Sequence, residues 1–405
     1  MKGLLFGILV VFVILFDELF HAEANLLGLD VESGIKQYEA VVLALVAYYL
    51  MIRSFAKGQV DPHTMRVLAF MAVILLLYCL TPLFYGKDDG KYTSYLLVYG
   101  AECIPAAFVG TLLAKRDDLL IINKILPFFL IPSVLIIGTL GLATALMGAV
   151  IASNAEDSGG LHYQNISYFM AFAFSYFCYL LFFSNAHHKH RNGYVRFMYL
   201  FFIVFCVLVC LMSGGRGGFV LIVFDAVFLL YLYNPNNSKG RIRVYMFLIF
   251  ASILIYFLLS YFDVLNTAGM QRVLLNLTED SSREDLYQNA FDAFLSSPII
   301  GNGAGSIWWI VGFYSHNIIL DWLAEVGLLG TLLFVVLLIR TFWELMKKVK
   351  IEPAFVLYLM IFVNNIVFYS FSGYWVGAMK LFFICAFVFC LRHRDTEREY
   401  KKIPL

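Results

Sequence analysis

Charged residues are scarce in this sequence. Asp, Glu, Lys and Arg make up 14% of the 405 residues, whereas 61% of the residues are hydrophobic and the mean hydropathy is +0.81. Soluble domains contain about 25% charged and about 45–50% apolar residues. A soluble globule of this composition could not cover its surface with polar groups. The composition therefore excludes a soluble enzyme, a coiled coil and a disordered chain, and it predicts a polytopic membrane protein.

Cysteine is absent from the loops, where it would form disulfides or bind metal. All seven cysteines lie inside apolar runs, and the sequence contains no Cys-x-x-Cys pair and no Cys/His cluster. This pattern disfavours a disulfide framework and a zinc site and predicts free, buried thiols. The sequence also lacks an internal repeat and a linker rich in Pro, Gly or Ser, so we predict a single transmembrane domain over residues 1–405.

Long apolar runs, by contrast, recur along the whole chain. A membrane-spanning helix needs about 20 mostly apolar residues, and about twelve segments approach or exceed this length. These segments are residues 3–20, 37–54, 66–85, 93–114, 119–151, 164–184, 195–212, 218–233, 243–262, 317–343, 354–372 and 375–391. The sequence therefore predicts an all-α, polytopic integral membrane protein with about twelve transmembrane helices.

The loops between these segments alternate in charge. One set is rich in Lys and Arg, and the other holds most of the acidic loop residues. The positive-inside rule places the basic set, and with it both termini, in the cytoplasm. The first span could instead be a cleaved signal peptide, because Lys2, the apolar run 4–16 and the segment 22–24 imitate one. Asp17 and Glu18 are unusual near a cleavage site and favour a retained span.

One long hydrophilic connection, residues 263–316, falls on the outer side of the predicted membrane. A loop of this length is usually functional or disordered. Within it, apolar residues recur at helical spacing over 281–297, and Pro298 follows directly. We therefore predict an amphipathic helix that forms a short lid outside the membrane.

Three arginines occur on this outer side, which otherwise has little positive charge. Arg216 lies among four glycines in the segment 213–218, where backbone N–H groups and the guanidinium could bind an anion. The alternative is a tight turn in which the arginine side chain extends to the membrane–water interface. Arg283 falls in the first turn of the predicted lid helix, where N–H groups attract anions, or it pairs with a neighbouring carboxylate. Arg272 has less context, and a surface role is simpler.

His316 lies at the outer end of the tenth predicted span. Histidine titrates near neutral pH and can take a proton from a hydroxyl; alternatively, His316 only caps the helix that follows. The glycine-rich segment 298–305 precedes it and would allow backbone to approach a ligand closely. Asp321 and Glu325 follow it at i,i+4 spacing, and they should face the bundle interior or water because carboxylates in hydrocarbon are costly.

Two further charges, Asp225 and Lys380, fall inside predicted spans. They could form a buried ion pair, or they could relay protons in a transporter. A coupled transporter usually shows more ionisable residues and broken helices within the membrane, so we favour the structural pair.

In this order along the chain, the motifs resemble those of the O-antigen polymerase/ligase superfamily. That superfamily includes Wzy-type O-antigen polymerases, lipopolysaccharide O-antigen ligases and protein O-oligosaccharyltransferases. The resemblance is carried by residues 213–218, 282–283, 298–305, 315–317 and 325–330. It covers about residues 213–330, and the rest of the chain agrees only in span number and orientation.

The resemblance implies a GT-C-like membrane glycosyltransferase at the periplasmic face of the bacterial inner membrane. The donor would be an oligosaccharide on undecaprenyl diphosphate, and the enzyme would use no metal, no cofactor and no nucleic acid. His316 would be catalytic and would act at the acceptor hydroxyl or on the leaving group. Arg216, Arg283 and Arg272 would bind the diphosphate. The supporting residues would be Ser213, Gly303, Asn317, Asp321 and Glu325.

The outer loop 263–316 is short beside the periplasmic segment of the ligases. We therefore favour a polymerase that joins lipid-linked repeat units and inverts the anomeric configuration. Its partners would be membrane lipid, the lipid-linked substrates and a chain-length-regulating co-polymerase. One alternative is an O-antigen ligase or O-oligosaccharyltransferase that moves the glycan to lipid A core or protein. Another is a transporter of lipid-linked glycans, which would need the arginines but not His316.

Overall fold

A computed structural model describes residues 2–26, 35–85, 91–116, 121–146, 163–183, 193–233 and 281–400. Within these ranges the chain is helical and contains no β-strand, which confirms the all-α class. Six of the described helices are long and apolar enough to cross a membrane, and four shorter apolar helices accompany them. The fold is therefore that of a multi-pass membrane protein.

The first part of the chain forms ten helices within the described ranges. They are α1 (Lys2–Leu26), α2 (Ile35–Ala56), α3 (Pro62–Leu80), α4 (Pro82–Tyr85), α5 (Lys91–Val98), α6 (Ile104–Ala114), α7 (Ile121–Leu146), α8 (Tyr163–Phe182), α9 (Gly193–Ser213) and α10 (Arg216–Leu232). A π-helical segment, Tyr99–Cys103, joins α5 to α6.

The second part forms five more helices. They are α11 (Ser281–Ser296), α12 (Ile307–Ile310), α13 (Ile318–Ile351), α14 (Phe355–Phe371) and α15 (Met379–Tyr400). A single 3-10 turn, Trp375–Gly377, precedes α15. Every predicted span coincides with a described helix except 243–262, which lies outside the described residues, as does Arg272.

The helices pack closely where their facing side chains are small. α8 is buried along most of its length and packs against α9 and α10. α6 and α15 form another close pair, in which a Cβ on Gly110 would lie 2.3 Å from the carbonyl oxygen of Phe383. Helices in lipid associate through such close backbone contacts, because burial from water does not drive them together. The contact of α10 with α8 also holds the glycine-rich segment 213–218 against Ser167 and Tyr168.

α11 is the predicted lid helix. It begins at Ser281 and ends at Ser296, two residues before Pro298. Ala290 and Ala293 are buried on one face, and α11 packs against α13. The apolar spacing in the sequence therefore identified this helix correctly.

α13 is broken at Gly327, where the backbone leaves the helical conformation (φ 62°, ψ −170°). The glycine-rich segment 298–303 pairs with the break. Four backbone hydrogen bonds of 2.8–3.1 Å run from the N–H groups of Leu328, Leu329, Asn302 and Gly303 to the carbonyls of Pro298, Ile299, Ala324 and Glu325, respectively. Backbone groups freed by a break inside a membrane must find such partners. The predicted span 317–343 is therefore one membrane-spanning segment that is interrupted at Gly327.

Gly301 and Gly327 lie at the centre of this crossing and leave no room for a side chain. A Cβ on Gly327 would lie 2.4 Å from the amide nitrogen of Gly301, and a Cβ on Gly301 would lie 2.3 Å from the carbonyl oxygen of Glu325. Both glycines also have positive φ angles. The sequence motifs 298–305 and 325–330 thus meet in one backbone contact.

Substitution of Gly327 by Ala is expected to lower the free energy of unfolding by about 1–3 kcal/mol, because the new methyl group would push two backbone segments apart. Thermal unfolding of the detergent-solubilised chain measures the loss. Gly193→Ala is the matched control, because a Cβ at Gly193 meets nothing within 4 Å. An unchanged unfolding temperature for Gly327→Ala would contradict the crossing.

The two charges inside predicted spans lie on different helices. Asp225 is fully buried on α10, and one of its carboxylate oxygens accepts a hydrogen bond from Ser175 on α8. Lys380 is the second residue of α15. The pairing of Asp225 with Lys380 therefore stays a prediction.

The cysteines are free thiols, and all seven fall within the described residues. Six are buried, as expected. Cys79 is exposed on the surface of α3, so the expectation of burial is wrong for this residue alone.

Candidate functional site

His316 is held by the loop that joins α14 to α15. Its Nδ1 atom lies 3.1 Å from the carbonyl oxygen of Ser372. A carbonyl can only accept a hydrogen bond, so Nδ1 carries the proton of the neutral ring. The Nε2 atom then has a free lone pair, which is the state that a general base requires.

The backbone of His316 is in the left-handed conformation, with φ at 59°. It is the one non-glycine residue with positive φ in the described part of the chain. Such a conformation costs about 1–3 kcal/mol and occurs often at functional sites. The residue that caps α13 is its neighbour Asn317, whose side chain accepts hydrogen bonds from Ile319 and Leu320. The alternative role of His316 as the helix cap is therefore wrong.

Two effects favour the neutral ring. His316 is half-buried beside Tyr314, whose ring centroid is 4.5 Å away, and Phe313, whose centroid is 5.5 Å away. This burial lowers the pKa of His316 below its usual 6.5, and the positive charge of Arg283 lowers it further, against the hydrogen bond to Ser372 that raises it. The structure thus brings the charge of Arg283 within electrostatic reach of His316.

Asp321 fixes the segment that leads into His316. Its Oδ1 atom accepts hydrogen bonds from the amide (2.8 Å) and the hydroxyl (2.7 Å) of Ser315. The side chain is fully buried, as predicted for a carboxylate that faces the bundle interior. Asp321 therefore positions the residue directly before His316.

Glu325 fixes the opposite loop. Its two carboxylate oxygens accept hydrogen bonds from the hydroxyl of Tyr374 (2.5 Å) and from the indole N–H of Trp375 (2.9 Å). Tyr374 also shares a short hydrogen bond with the buried hydroxyl of Tyr78. These contacts hold the loop whose Ser372 carbonyl orients His316. Asp321 and Glu325 lie one helical turn apart on α13. Asp321 holds the residue before His316, and Glu325 holds the loop to which the imidazole is hydrogen-bonded.

Arg216 is the first residue of α10 and follows the turn at Gly214, whose φ is 76°. The next residue, Gly217, packs so closely on α8 that a Cβ there would lie 2.0 Å from the hydroxyl of Tyr168. That hydroxyl lies 3.0 Å from the Oγ atom of Ser372. The start of α10 is therefore connected to His316 through Tyr168 and Ser372.

The other predicted site residues have identifiable positions. Arg283 lies in the first turn of α11 and is half-buried. Ser213 is buried at the end of α9, and its hydroxyl donates to the carbonyl of Cys210 (2.8 Å). Gly303 has φ at 104° and belongs to the crossing with α13. Ser213, Gly303 and Asn317 therefore shape the backbone around the site.

Sequence analysis did not identify Ser372, Tyr374, Trp375 or Tyr168, although these residues complete the site. The available signal was a glycine and two aromatic residues in the short segment 372–375, which the charge alternation places on the same side as His316. Among the described residues, no three His, Cys, Asp or Glu side chains group closely enough to hold a metal ion.

If His316 acts as a general base, the pH dependence of activity should report the pKa of His316. A base must be neutral, so we expect kcat/KM to stay constant down to about pH 6.5 and to fall only below it. Arg283→Gln removes a positive charge, which raises the pKa of His316 and moves the acidic limb of the residual activity to higher pH. Arg340→Gln, an exposed arginine on α13, is the control. An acidic limb that does not move in Arg283→Gln would contradict the coupling.

Residues 201–335 match the Wzy_C family model, which is described as O-antigen ligase. The matched segment is about a third of the chain and contains α10, α11 and the crossing of α13 with residues 298–303. The match confirms the resemblance to the O-antigen polymerase/ligase superfamily. It indicates a glycosyltransferase-like activity of the ligase or polymerase type on lipid-linked glycans. No curated protein and no solved structure matches the chain.

Proposed function

We propose that the protein is an O-antigen or polysaccharide polymerase. It joins oligosaccharide repeat units that are linked to undecaprenyl diphosphate, at the periplasmic face of the inner membrane. The growing chain leaves its lipid carrier and is transferred to the new lipid-linked unit. The reaction uses no metal and inverts the anomeric configuration.

The observation that carries this proposal is the 3.1 Å contact between Nδ1 of His316 and the carbonyl oxygen of Ser372. Ser372 accepts the Nδ1 proton, so Nε2 is the atom that takes a proton from the acceptor hydroxyl. The acceptor oxygen then forms a bond to the anomeric carbon of the donor sugar. The bond from that carbon to the diphosphate oxygen breaks on the opposite face, and the bonding pair leaves with the diphosphate.

Arg216 and Arg283 bind the diphosphate in this mechanism. Negative charge grows on the leaving group as the glycosidic bond breaks, and fixed guanidinium groups stabilise that charge more in the transition state than in the ground state. The connection of Arg216 to His316 through Tyr168 and Ser372 supports this arrangement, as does the charge of Arg283 on the imidazole. Arg272 is a third proposed ligand and lies outside the described residues.

An O-antigen ligase is the second candidate, since the matched family model carries that description. A ligase would use the same base and the same arginines, and it would differ only in the acceptor. The acceptor would then be lipid A core sugar instead of a second lipid-linked unit.

The test is an assay with the purified full chain and a defined lipid-linked repeat unit, with no added metal and with a chelator present. A polymerase produces a ladder of products from this substrate alone. A ligase produces none until lipid A core is added, and a transporter produces none in either case. Loss of the ladder on chelation would contradict the metal-independent mechanism.

A further inference from the structure

The helix α11 has a buried face and a polar face, and each repeats at intervals of three and four residues, as one side of a helix does. The buried face packs against α13 and includes Ala290 and Ala293. The polar face is exposed and carries Asp285, Asn289 and Asp292. The protein itself covers the buried face, and water would solvate the polar one.

A third face of α11 lies between these two and changes from polar to apolar along the helix. It begins with Glu284 and Gln288 and continues, at the same helical spacing, with Phe291 and Leu295. Phe291 is 42% exposed and Leu295 is 56% exposed. Large apolar side chains are unfavourable in water, whereas a carboxylate is costly in lipid. The third face therefore fits a helix that passes from water into an apolar phase.

The segment that follows α11 extends this apolar surface to the membrane-spanning part of α13. Ile299 and Ile300 are 69% and 71% exposed. The carbonyl oxygens of Pro298 and Ile299 accept hydrogen bonds from the N–H groups of Leu328 and Leu329. Leu328 and Leu329 are themselves exposed on α13. Since these backbones are hydrogen-bonded to each other, the two isoleucines lie at nearly the same depth in the membrane as the two leucines.

The length of α13 gives that depth. Lys348 and Lys350 in its last turn mark one membrane surface, because lysine side chains extend to water at the ends of a span. A span needs about 20 residues, and a count of about 20 residues back from Lys348 ends at Leu328. Leu328 and Leu329 therefore lie at the opposite edge of the hydrocarbon layer. The segment bonded to them reaches the same edge.

We propose that the C-terminal half of α11, together with Ile299 and Ile300, is immersed in the acyl chains of the membrane leaflet nearest His316. The N-terminal half of α11 stays in the headgroup layer and in water. The occupant of the apolar face is bulk membrane lipid, because this face continues the lipid-facing surface of α13. Interfacial helices bury an apolar face about 5–10 Å deep in the same way. The helix α11 is then an oblique membrane anchor and not a lid that moves over the site.

This orientation also sets the height of Arg283, which lies in the first turn of α11. The helical rise separates Arg283 from Phe291 by about 12 Å along the helix axis. A tilted helix with Phe291 in the acyl chains therefore holds Arg283 in or near the headgroup layer. The diphosphate of a lipid-linked donor lies in that layer. This consequence rests on the proposed function, whereas the immersion of α11 does not.

Collision rates of nitroxide spin labels test the immersion, with the full chain in lipid nanodiscs. The exposed Cys79 is first replaced by Ser, and the other six cysteines are buried. Leu295→Cys and Ile300→Cys then place single labels on the proposed lipid face. Asp292→Cys is the matched control on the polar face, about one turn from Leu295, and Glu284→Cys labels the water end of the third face. The two collision reagents are oxygen, which concentrates in lipid, and a nickel chelate, which stays in water.

We expect the Leu295→Cys and Ile300→Cys labels to collide more often with oxygen than with the nickel chelate, and the Asp292→Cys and Glu284→Cys labels to show the reverse order. All four positions are exposed, so a label displaces little packing, and thermal unfolding checks each variant. If one of the two apolar variants does not fold, the other still tests the immersion.

Three results would overturn the proposal. The first is a nickel collision rate at either apolar position that equals the rate at Asp292→Cys. The second is few collisions with either reagent at Leu295→Cys, which would show that protein, such as a second copy of the chain, covers the face. The third is a Glu284→Cys label that collides mainly with oxygen, because the helix would then not be oblique. Glycosyl transfer is not part of the measurement, so failure of the immersion and failure of the proposed function are observed separately.

Discussion

Replacement of His316 by Asn is expected to lower the rate of glycosyl transfer by about 10²–10⁴-fold, the usual contribution of a general base. Asparagine tolerates the left-handed backbone that His316 adopts, at φ 59°. Its amide can also donate to the carbonyl of Ser372, as Nδ1 does now. It has no atom that accepts a proton at neutral pH, so the substitution removes the base with little change to the loop.

Single-turnover transfer with a saturating lipid-linked donor measures this effect. Binding of the donor should be unchanged, because the proposed diphosphate ligands remain in place. His63→Asn is the matched control, since His63 lies in the first turn of α3, away from the α14–α15 loop that holds His316. Transfer by His316→Asn at the wild-type rate would remove His316 from the mechanism and leave the arginines to act alone.

The helices were predictable because the membrane imposes a local requirement. A chain that crosses lipid must satisfy its backbone within each segment and must stay apolar for about 20 residues, and both requirements are visible in composition. The amphipathic helix α11 was predictable for a related reason. Its buried face, which includes Ala290 and Ala293, repeats at the helical period, and Pro298 follows its end.

The break in α13 was not predictable from its own sequence. Gly327 lies in an apolar run, and glycine is common in transmembrane helices, so the sequence there fits a continuous helix. The break is stable because the segment 298–303 supplies hydrogen bonds to the freed backbone groups, and that pairing joins stretches that are distant in sequence. The spacing of Gly301 and Gly327 becomes meaningful only when both backbones are seen to meet.

The burial of two predicted site residues could be read from the sequence, but their contacts could not. Asp321 and Glu325 were expected to face the bundle interior, and both are fully buried. Asp321 holds Ser315, and Glu325 holds the Tyr374–Trp375 segment. These contacts depend on the packing of α14 and α15 against α13. A hydrogen bond between His316 and a backbone carbonyl more than 50 residues away leaves no trace in one sequence.

Replacement of Arg216 by Gln is expected to lower kcat/KM for the donor by about 10²–10³-fold, the usual cost of losing one donor to a developing charge. Arg216→Lys keeps the positive charge but loses the planar fork that binds two phosphate oxygens at once. Its activity should fall between those of wild type and Arg216→Gln. Arg340→Lys is the control, because Arg340 is exposed and lies far along α13 from the site.

The order of the two Arg216 variants decides between geometry and charge. The backbone of Arg216 is held in place, because Gly217 and Gly218 pack the first turn of α10 closely against Tyr168 and Ser167. A guanidinium held in place stabilises the transition state more than a mobile ammonium group does, because it does not have to reorganise as the diphosphate departs. Near-normal turnover by Arg216→Lys would show that a point charge is sufficient. Near-normal turnover by Arg216→Gln would remove Arg216 from the diphosphate site altogether.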